Sequence, residues 1–122
     1  MDLEAPLADI KGVKGYLATG IMQYTGELLA GSSISESINL AIVGATFNDI
    51  FRSAHEVCAK IGLEASKEMV LYTPRGIVIM MCTGTKSKVH LHLITVLSAD
   101  GNQALAKMQM EKAGPAIMSM LG

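Results

Sequence analysis

The sequence is poor in aromatic residues and has no tryptophan. Aromatic side chains make up 4% of the chain, which leaves few platforms on which single-stranded bases could stack. Ten basic residues stand against eleven acidic ones, and the lysines and arginines are scattered singly. No basic face is therefore available to neutralise phosphates, and we predict no nucleic-acid partner.

Cysteines and long apolar runs are also scarce. Cys58 and Cys82 each lie inside an apolar segment without CxxC spacing, which is typical of small buried side chains in a reducing compartment. No apolar run reaches the length of about 18 residues that a bilayer requires, and the first residues are acidic where a signal peptide would be basic. We expect a cytoplasmic protein without a membrane partner.

Motifs for nucleotide binding and nucleophilic catalysis are missing as well. The chain has neither G-x-x-x-x-G-K nor G-x-G-x-x-G, and we interpret Gly84-Thr85-Lys86 as part of a turn. Cys58 has mostly apolar neighbours, which do not favour its ionisation or a catalytic pairing with His55. We predict that the protein is not an enzyme, with no catalytic residues and no cofactor.

The histidines are candidate metal ligands. His90 and His92 are two apart in a predicted strand, so their side chains share one face, but a metal site needs a third ligand. His55, on a predicted helix, either faces the same side or is solvated beside Arg52 and Glu56. Packed or hydrogen-bonded histidines are the commoner situation, and we predict no metal site.

What the sequence does contain is an antiparallel meander over residues 68–97. Apolar segments at 68–73, 77–82 and 89–97 are separated by the turn signals Thr73-Pro74-Arg75-Gly76 and 84–88. The second and third segments are nearly continuous Val, Ile and Leu runs, a pattern typical of central strands covered on both faces. With 50% hydrophobic residues, the 122 residues can bury one core, and we predict a single domain over residues 1–122.

The remaining segments are predicted to cover the two faces of the sheet. A short helical piece at 5–13 precedes a hairpin whose strands, at 16–24 and 28–31, are joined by Thr25-Gly26-Glu27. Ser33-Ile34-Ser35-Glu36 has the capping-box pattern and predicts a long helix to Ile61, followed by Gly62 at the C′ position. A last helix begins near Asn102, and we expect Gly114-Pro115 to kink or stop it.

The long helix carries two apolar stripes. The first comprises Leu40, Val43, Phe47, Ile50, Ala54, Val57 and Ile61. The second, confined to the first half, comprises Ile34, Ile38, Ala41, Ile42 and Ala45. One stripe suffices to cover a sheet, so the second predicts a homodimer or a close heterodimer, unless it packs under another element of the same chain.

This order of elements, with the residues at its joints, resembles the Roadblock/LC7 family. The resemblance extends over residues 7–113 and includes the long helix ending at Leu63. The matching motifs are Val13-Lys14-Gly15 before a hairpin with a Thr25-Gly26 turn, Thr73-Pro74-Arg75-Gly76-Ile77, and Ala99-Asp100-Gly101-Asn102-Gln103-Ala104-Leu105-Ala106-Lys107. The family commonly has Asp-Gly where this chain has Thr25-Gly26, a change that leaves the turn intact.

The resemblance implies an α/β (α+β) fold, a profilin-like sandwich with a five-stranded antiparallel sheet, the long helix on one face and two terminal helices on the other. It also implies dimerisation through the central helices and the following edge strand, in agreement with the second stripe. The candidate dimer-interface residues are Ile38, Ala41, Ile42, Ala45, Met69, Val70, Leu71, Tyr72 and Thr73.

The function implied by the resemblance is that of a non-enzymatic scaffold or regulator that binds a small Ras-like GTPase and biases its nucleotide state or location. Arg75, at a predicted hairpin tip, is a candidate partner contact, although a solvated turn residue is commoner there than an arginine finger. The alternative is a ligand-sensing or structural interaction module, because profilin-like sandwiches serve several functions.

Overall fold

The fold is built on one five-stranded antiparallel sheet. The computed structural model describes residues 2–83 and 89–121. In chain order, the elements are a 3-10 turn (Ala5–Leu7), α1 (Ala8–Lys11), β1 (Tyr16–Gln23), β2 (Leu28–Ser33), α2 (Leu40–Lys60), β3 (Glu68–Thr73), β4 (Gly76–Cys82), β5 (Leu91–Ser98) and α3 (Gln103–Leu121). The strand order is β2-β1-β5-β4-β3, so β2 and β3 form the two edges.

The predicted strands are all present, with ends that differ by up to two residues from the predicted ones. Turn chemistry accounts for this agreement, since Gly26 has φ +104° in the β1–β2 turn and Thr73 and Gly76 pair across the β3–β4 turn. The predicted turn at 84–88, including Gly84-Thr85-Lys86, lies outside the described residues.

Alternation along the central strands gives the sheet two apolar faces. Ile77, Ile79 and Leu93 belong to the core shared with α1 and α3, whereas Val78 and Met80 belong to the core under α2. The long helix and the two terminal helices therefore cover opposite faces. The predicted profilin-like sandwich is confirmed.

The predicted start of the long helix is wrong. The helix begins at Leu40, and the Asn39 side chain accepts a hydrogen bond from the Ile42 amide at 3.4 Å. The preceding serines satisfy one another instead of capping: the Ser33 hydroxyl donates to the Ser35 carbonyl, and the Ser37 amide donates to the Ser35 hydroxyl. Such local bonds compete with helix formation, so the capping-box pattern does not form a cap. The C-terminal prediction is confirmed, with α2 ending at Lys60 and Gly62 at φ +87°.

The face of α2 that covers the sheet is also not the predicted first stripe. Its buried positions are Leu40, Gly44, Asn48, Phe51 and His55. Of the first stripe, Ile50, Val57 and Ile61 are exposed. Periodicity missed this face because two of its positions are polar, and polar side chains are buried where they find hydrogen-bond partners.

The last helix continues through Gly114-Pro115, so of the two predicted outcomes, a kink or a stop, the stop does not occur. It begins at Gln103, after Asn102 accepts from the Leu105 amide at 3.1 Å, and continues to Leu121. Its buried side includes Met110, Ala113 and Ile117, which hold it against the sheet on both sides of Pro115. Tertiary packing therefore outweighs the local cost of proline.

Two glycines with the same backbone angle differ in their surroundings, which allows a matched prediction. Gly15 and Gly62 both have φ +87°, but a Cβ on Gly15 would lie 2.5 Å from the Gly101 Cα, whereas one on Gly62 would meet nothing within 4 Å. We expect Gly62→Ala to cost about 1–2 kcal/mol of unfolding free energy from the left-handed backbone alone. Gly15→Ala should cost at least about 2 kcal/mol more, because the backbones must separate.

Chemical denaturation of both variants measures this difference. Similar losses for Gly15→Ala and Gly62→Ala would show that the close approach of the Val13-Lys14-Gly15 segment to Gly101 contributes nothing beyond backbone strain.

Candidate functional site

Apolar side chains are exposed on α2 and on the edge strand β3. Ile42 on α2 is 66% exposed, and on β3 Leu71 is 36% and Tyr72 68% exposed. Because β3 pairs with β4 on one side only, its other side offers backbone groups to a further strand. This combination of an open strand edge and exposed apolar side chains is suited to protein contacts.

The predicted interface residues divide by burial. Ala41, Ile42, Leu71, Tyr72 and Thr73 are exposed. Ile38, Ala45, Met69 and Val70 are half-buried, and of these Ile38 and Met69 pack against the core under α2, while Val70 packs against the core on the opposite face. The second stripe is thus partly used within the chain, and Ile42 is its most prominent exposed member on α2.

Arg75 lies at the exposed tip of the β3–β4 hairpin. The Thr73 hydroxyl oxygen accepts from the Arg75 and Gly76 amides at 3.3 and 2.9 Å, which fixes the turn. The arrangement holds the Arg75 backbone in place while its side chain faces solvent. It is compatible with a partner contact and with a solvated turn residue alike.

The three histidines come together at one end of the sheet. The ring centroids of His55 and His92 are 5.1 Å apart, and those of His90 and His92 are 4.9 Å apart. His55 therefore faces the sheet rather than solvent, which settles the alternative that the sequence left open. Cys82, at the end of β4, joins the group, with its Sγ 3.0 Å from the His90 Nε2.

The Asn48 side chain connects this group to the β1–β2 turn region. Its Nδ2 donates to the Tyr24 carbonyl at 2.8 Å, which leaves Oδ1 as an acceptor 2.6 Å from the His92 Nδ1. His92 must therefore carry its proton on Nδ1, and its Nε2 presents a lone pair. Both Asn48 and His92 are fully buried.

Burial, and for His55 and His92 also neighbouring charges, lower the pKa values of the three histidines. Burial lowers the pKa of His90, and burial together with the neighbouring His90 lowers the pKa of His55. For His92, burial, then His90, His55 and Arg52, lower the pKa to about 3. These shifts favour the uncharged imidazole, which is the form that binds metals.

The sequence identified the three histidines but not Cys82, Asn48 or Ser66, whose hydroxyl is hydrogen-bonded to the His55 Nδ1. The apolar neighbours of Cys82 predict a core residue, but Cys82 is the last residue of β4 and pairs directly with His92 on β5. Cross-strand pairing of a cysteine with a histidine was the signal available in the sequence once the meander register was fixed. Nothing in the sequence indicated the partners from α2 and the following loop.

The structure defines a profilin-like α/β sandwich, and comparison with solved structures relates it to a particular domain type. No protein-family model and no curated protein sequence matches the chain. A Roadblock/LC7 domain from Streptomyces avermitilis superposes with a TM-score of 0.84 at 10% identity, covering 99% of this chain and 98% of that one.

Two further solved structures with similar folds are an MglB and a profilin. An MglB with tetrameric arrangement gives a TM-score of 0.83 at 14% identity, covering 96% of this chain and 85% of that one. Profilin IA from Acanthamoeba castellanii gives 0.56 at 16% identity, covering 98% and 96%. The chain therefore has the fold of Roadblock/LC7 domains, as the sequence resemblance predicted. Among the described residues, no helix is both long and apolar enough to cross a bilayer.

Proposed function

We propose that this chain is a dimeric scaffold or regulator that binds a small Ras-like GTPase and biases its nucleotide state or location without chemistry of its own. The observation that carries the proposal is the Roadblock/LC7 fold together with exposed apolar side chains on α2 and on the open edge strand β3. Regulation would follow from different affinities for the GDP-bound and GTP-bound partner, which shift its population.

The proposed dimer uses a second copy of the same chain. Ile42 is accompanied by the small side chains of Ala41 and Ala45, which allow two α2 helices to approach closely. On β3, Leu71 and Tyr72 would be covered by the partner while the strand edges pair. The MglB described above has a tetrameric arrangement, so an established protein of this fold assembles into oligomers.

The proposed partner is tested by affinity capture from the native cell lysate, once with GDP and once with a non-hydrolysable GTP analogue. We expect mass spectrometry to identify a small GTPase that is enriched in one nucleotide condition. An Arg75→Ala bait run in parallel tests the candidate partner contact, and reduced recovery of the same GTPase would support it. Capture of no GTPase in either condition, from a lysate shown to contain one, would favour the ligand-sensing or structural alternative.

A further inference from the structure

Four side chains able to bind a metal, from three elements and one loop, converge at one end of the sheet on the face that α2 covers. His55 comes from α2, Cys82 from the end of β4, His90 from the segment before β5, and His92 from β5. One potential ligand atom from each residue lies within 4.8 Å of all the others. The chain contains three histidines, and all of them belong to this group.

Two of the separations between ligand atoms are close to those around a tetrahedral ion, and the others lie within 4.8 Å. The Cys82 Sγ and the His92 Nε2 lie 3.0 and 3.2 Å from the His90 Nε2. Around a zinc ion with bonds of about 2.0–2.1 Å to nitrogen and about 2.3 Å to sulfur, neighbouring ligand atoms are roughly 3.3–3.6 Å apart. Small side-chain adjustments would therefore place a single ion between these atoms.

The hydrogen bonds outside the group orient two of the rings toward its centre. The His92 Nδ1 donates to the Asn48 Oδ1, so its Nε2 lone pair is directed at His90. The His55 Nδ1 is hydrogen-bonded to the Ser66 Oγ, which leaves its Nε2 as the nitrogen available for a ligand. Fixing of the outer ring nitrogen by a polar group is the usual supporting arrangement for histidine ligands.

An unpaired buried nitrogen is independent support for a ligand at this position. The His55 side chain is 7% exposed, and its Nε2 is buried without a hydrogen-bond partner in the described part of the chain. Buried polar atoms are rarely left unpaired, and a cation bound to Nε2 would satisfy this nitrogen in the tautomer whose Nδ1 donates to the Ser66 Oγ. A pocket of about 330 Å³ lined by Tyr24, His55 and His90, among others, opens beside the group and gives an ion access to it.

We propose that His55, Cys82, His90 and His92 bind one zinc ion through four protein ligands. Three imidazoles and one thiolate, with no carboxylate among them, favour zinc over calcium or magnesium, which prefer oxygen ligands. Four protein ligands leave no open position for a substrate, so the ion is structural. It joins α2 to the ends of β4 and β5, and this role is independent of whether the protein binds a GTPase.

The test uses tag-free, metal-stripped protein kept reduced, titrated with Zn²⁺ by calorimetry and with Co²⁺ by absorption. We expect one ion per chain, a rise in melting temperature with added Zn²⁺, and a thiolate-to-cobalt charge-transfer band with the visible bands of tetrahedral Co²⁺. Absence of Zn²⁺ binding, or Co²⁺ spectra without the charge-transfer band, would overturn the proposal.

The two cysteines provide a matched pair of variants. Cys82→Ser should remove the charge-transfer band and weaken Zn²⁺ binding at least about 100-fold, because loss of a direct ligand exceeds the effect of losing an outer partner. Cys58→Ser, a change of the half-buried cysteine outside the group, should leave both unchanged. His90→Gln, at a half-buried position, is a second ligand variant and should weaken binding similarly if Cys82→Ser fails to fold. Equal Zn²⁺ affinity of a folded ligand variant and the wild type would refute the site.

Discussion

Replacing Phe51 with alanine should lower the free energy of unfolding by about 3–5 kcal/mol, the range for truncating a buried phenylalanine. The Phe51 side chain projects from α2 and is fully buried against the sheet, with its ring centroid 4.5 Å from that of His55 and 4.8 Å from that of His92. Removing the ring would leave a cavity and would take away contacts with both α2 and β5. In a domain whose total stability is about 5–15 kcal/mol, this is a large fraction of the total.

Denaturant titration and thermal melting at one fixed protein concentration measure the effect. A loss of this size corresponds to a fall in melting temperature of more than about 10 °C. Phe47→Ala, one turn earlier on α2, is the matched control: Phe47 is half-buried against the same core, so its loss should cost no more than about 2 kcal/mol. Equal losses at the two positions would mean that Phe51 is not the centre of this core.

The strands could be predicted from sequence because alternation and turn residues act locally. Glu68–Thr73 and Gly76–Cys82 follow from two apolar segments around Pro74, and the register follows from the tight turn between them. The fold class then followed from the order of elements. These predictions depended on short-range patterns, which a single sequence contains.

The sheet-covering face of α2 could not be predicted, because its polar members are satisfied by residues far away in sequence. Asn48 is bonded to Tyr24 and His92, and His55 to Ser66. A helical hydrophobicity pattern treats such positions as exposed, and it assigned Ile50 and Val57 to the interior in their place. The buried polar network thus inverts the expected pattern, and the same network supports the rings of the proposed metal site.

The start of α2 is a second feature that a sequence pattern alone did not predict correctly. Ser33 and Glu36 have the spacing of a capping box, yet Ser35 offers a nearer partner to Ser33 and Ser37. Motif spacing identifies residues that are able to cap, but competing local hydrogen bonds decide whether they do. The helix instead starts where Asn39 caps it and where Leu40 first reaches the core.

Changing Ile42 to aspartate should convert the proposed dimer to a monomer. The side chain is 66% exposed in the single chain, so its replacement removes little packing there. Ile42 is the third residue of α2 after the Asn39 cap, and an acidic residue in the first turn of a helix is favourable. In an apolar interface, however, the carboxylate would have to be desolvated, which we expect to weaken dimerisation about 100-fold or more, or about 3 kcal/mol.

Light scattering and sedimentation over a concentration series measure this weakening, with Val57→Asp as the control. Val57 is 56% exposed on the same helix but lies outside the predicted interface, so Val57→Asp should dimerise like the wild type. A monomeric wild-type chain at high micromolar concentration would count against the dimer altogether. If Val57→Asp abolishes dimerisation and Ile42→Asp does not, the chains associate through the C-terminal half of α2. In that case the exposed side chains of Ile50, Val57 and Ile61 would form the interface in place of the predicted residues.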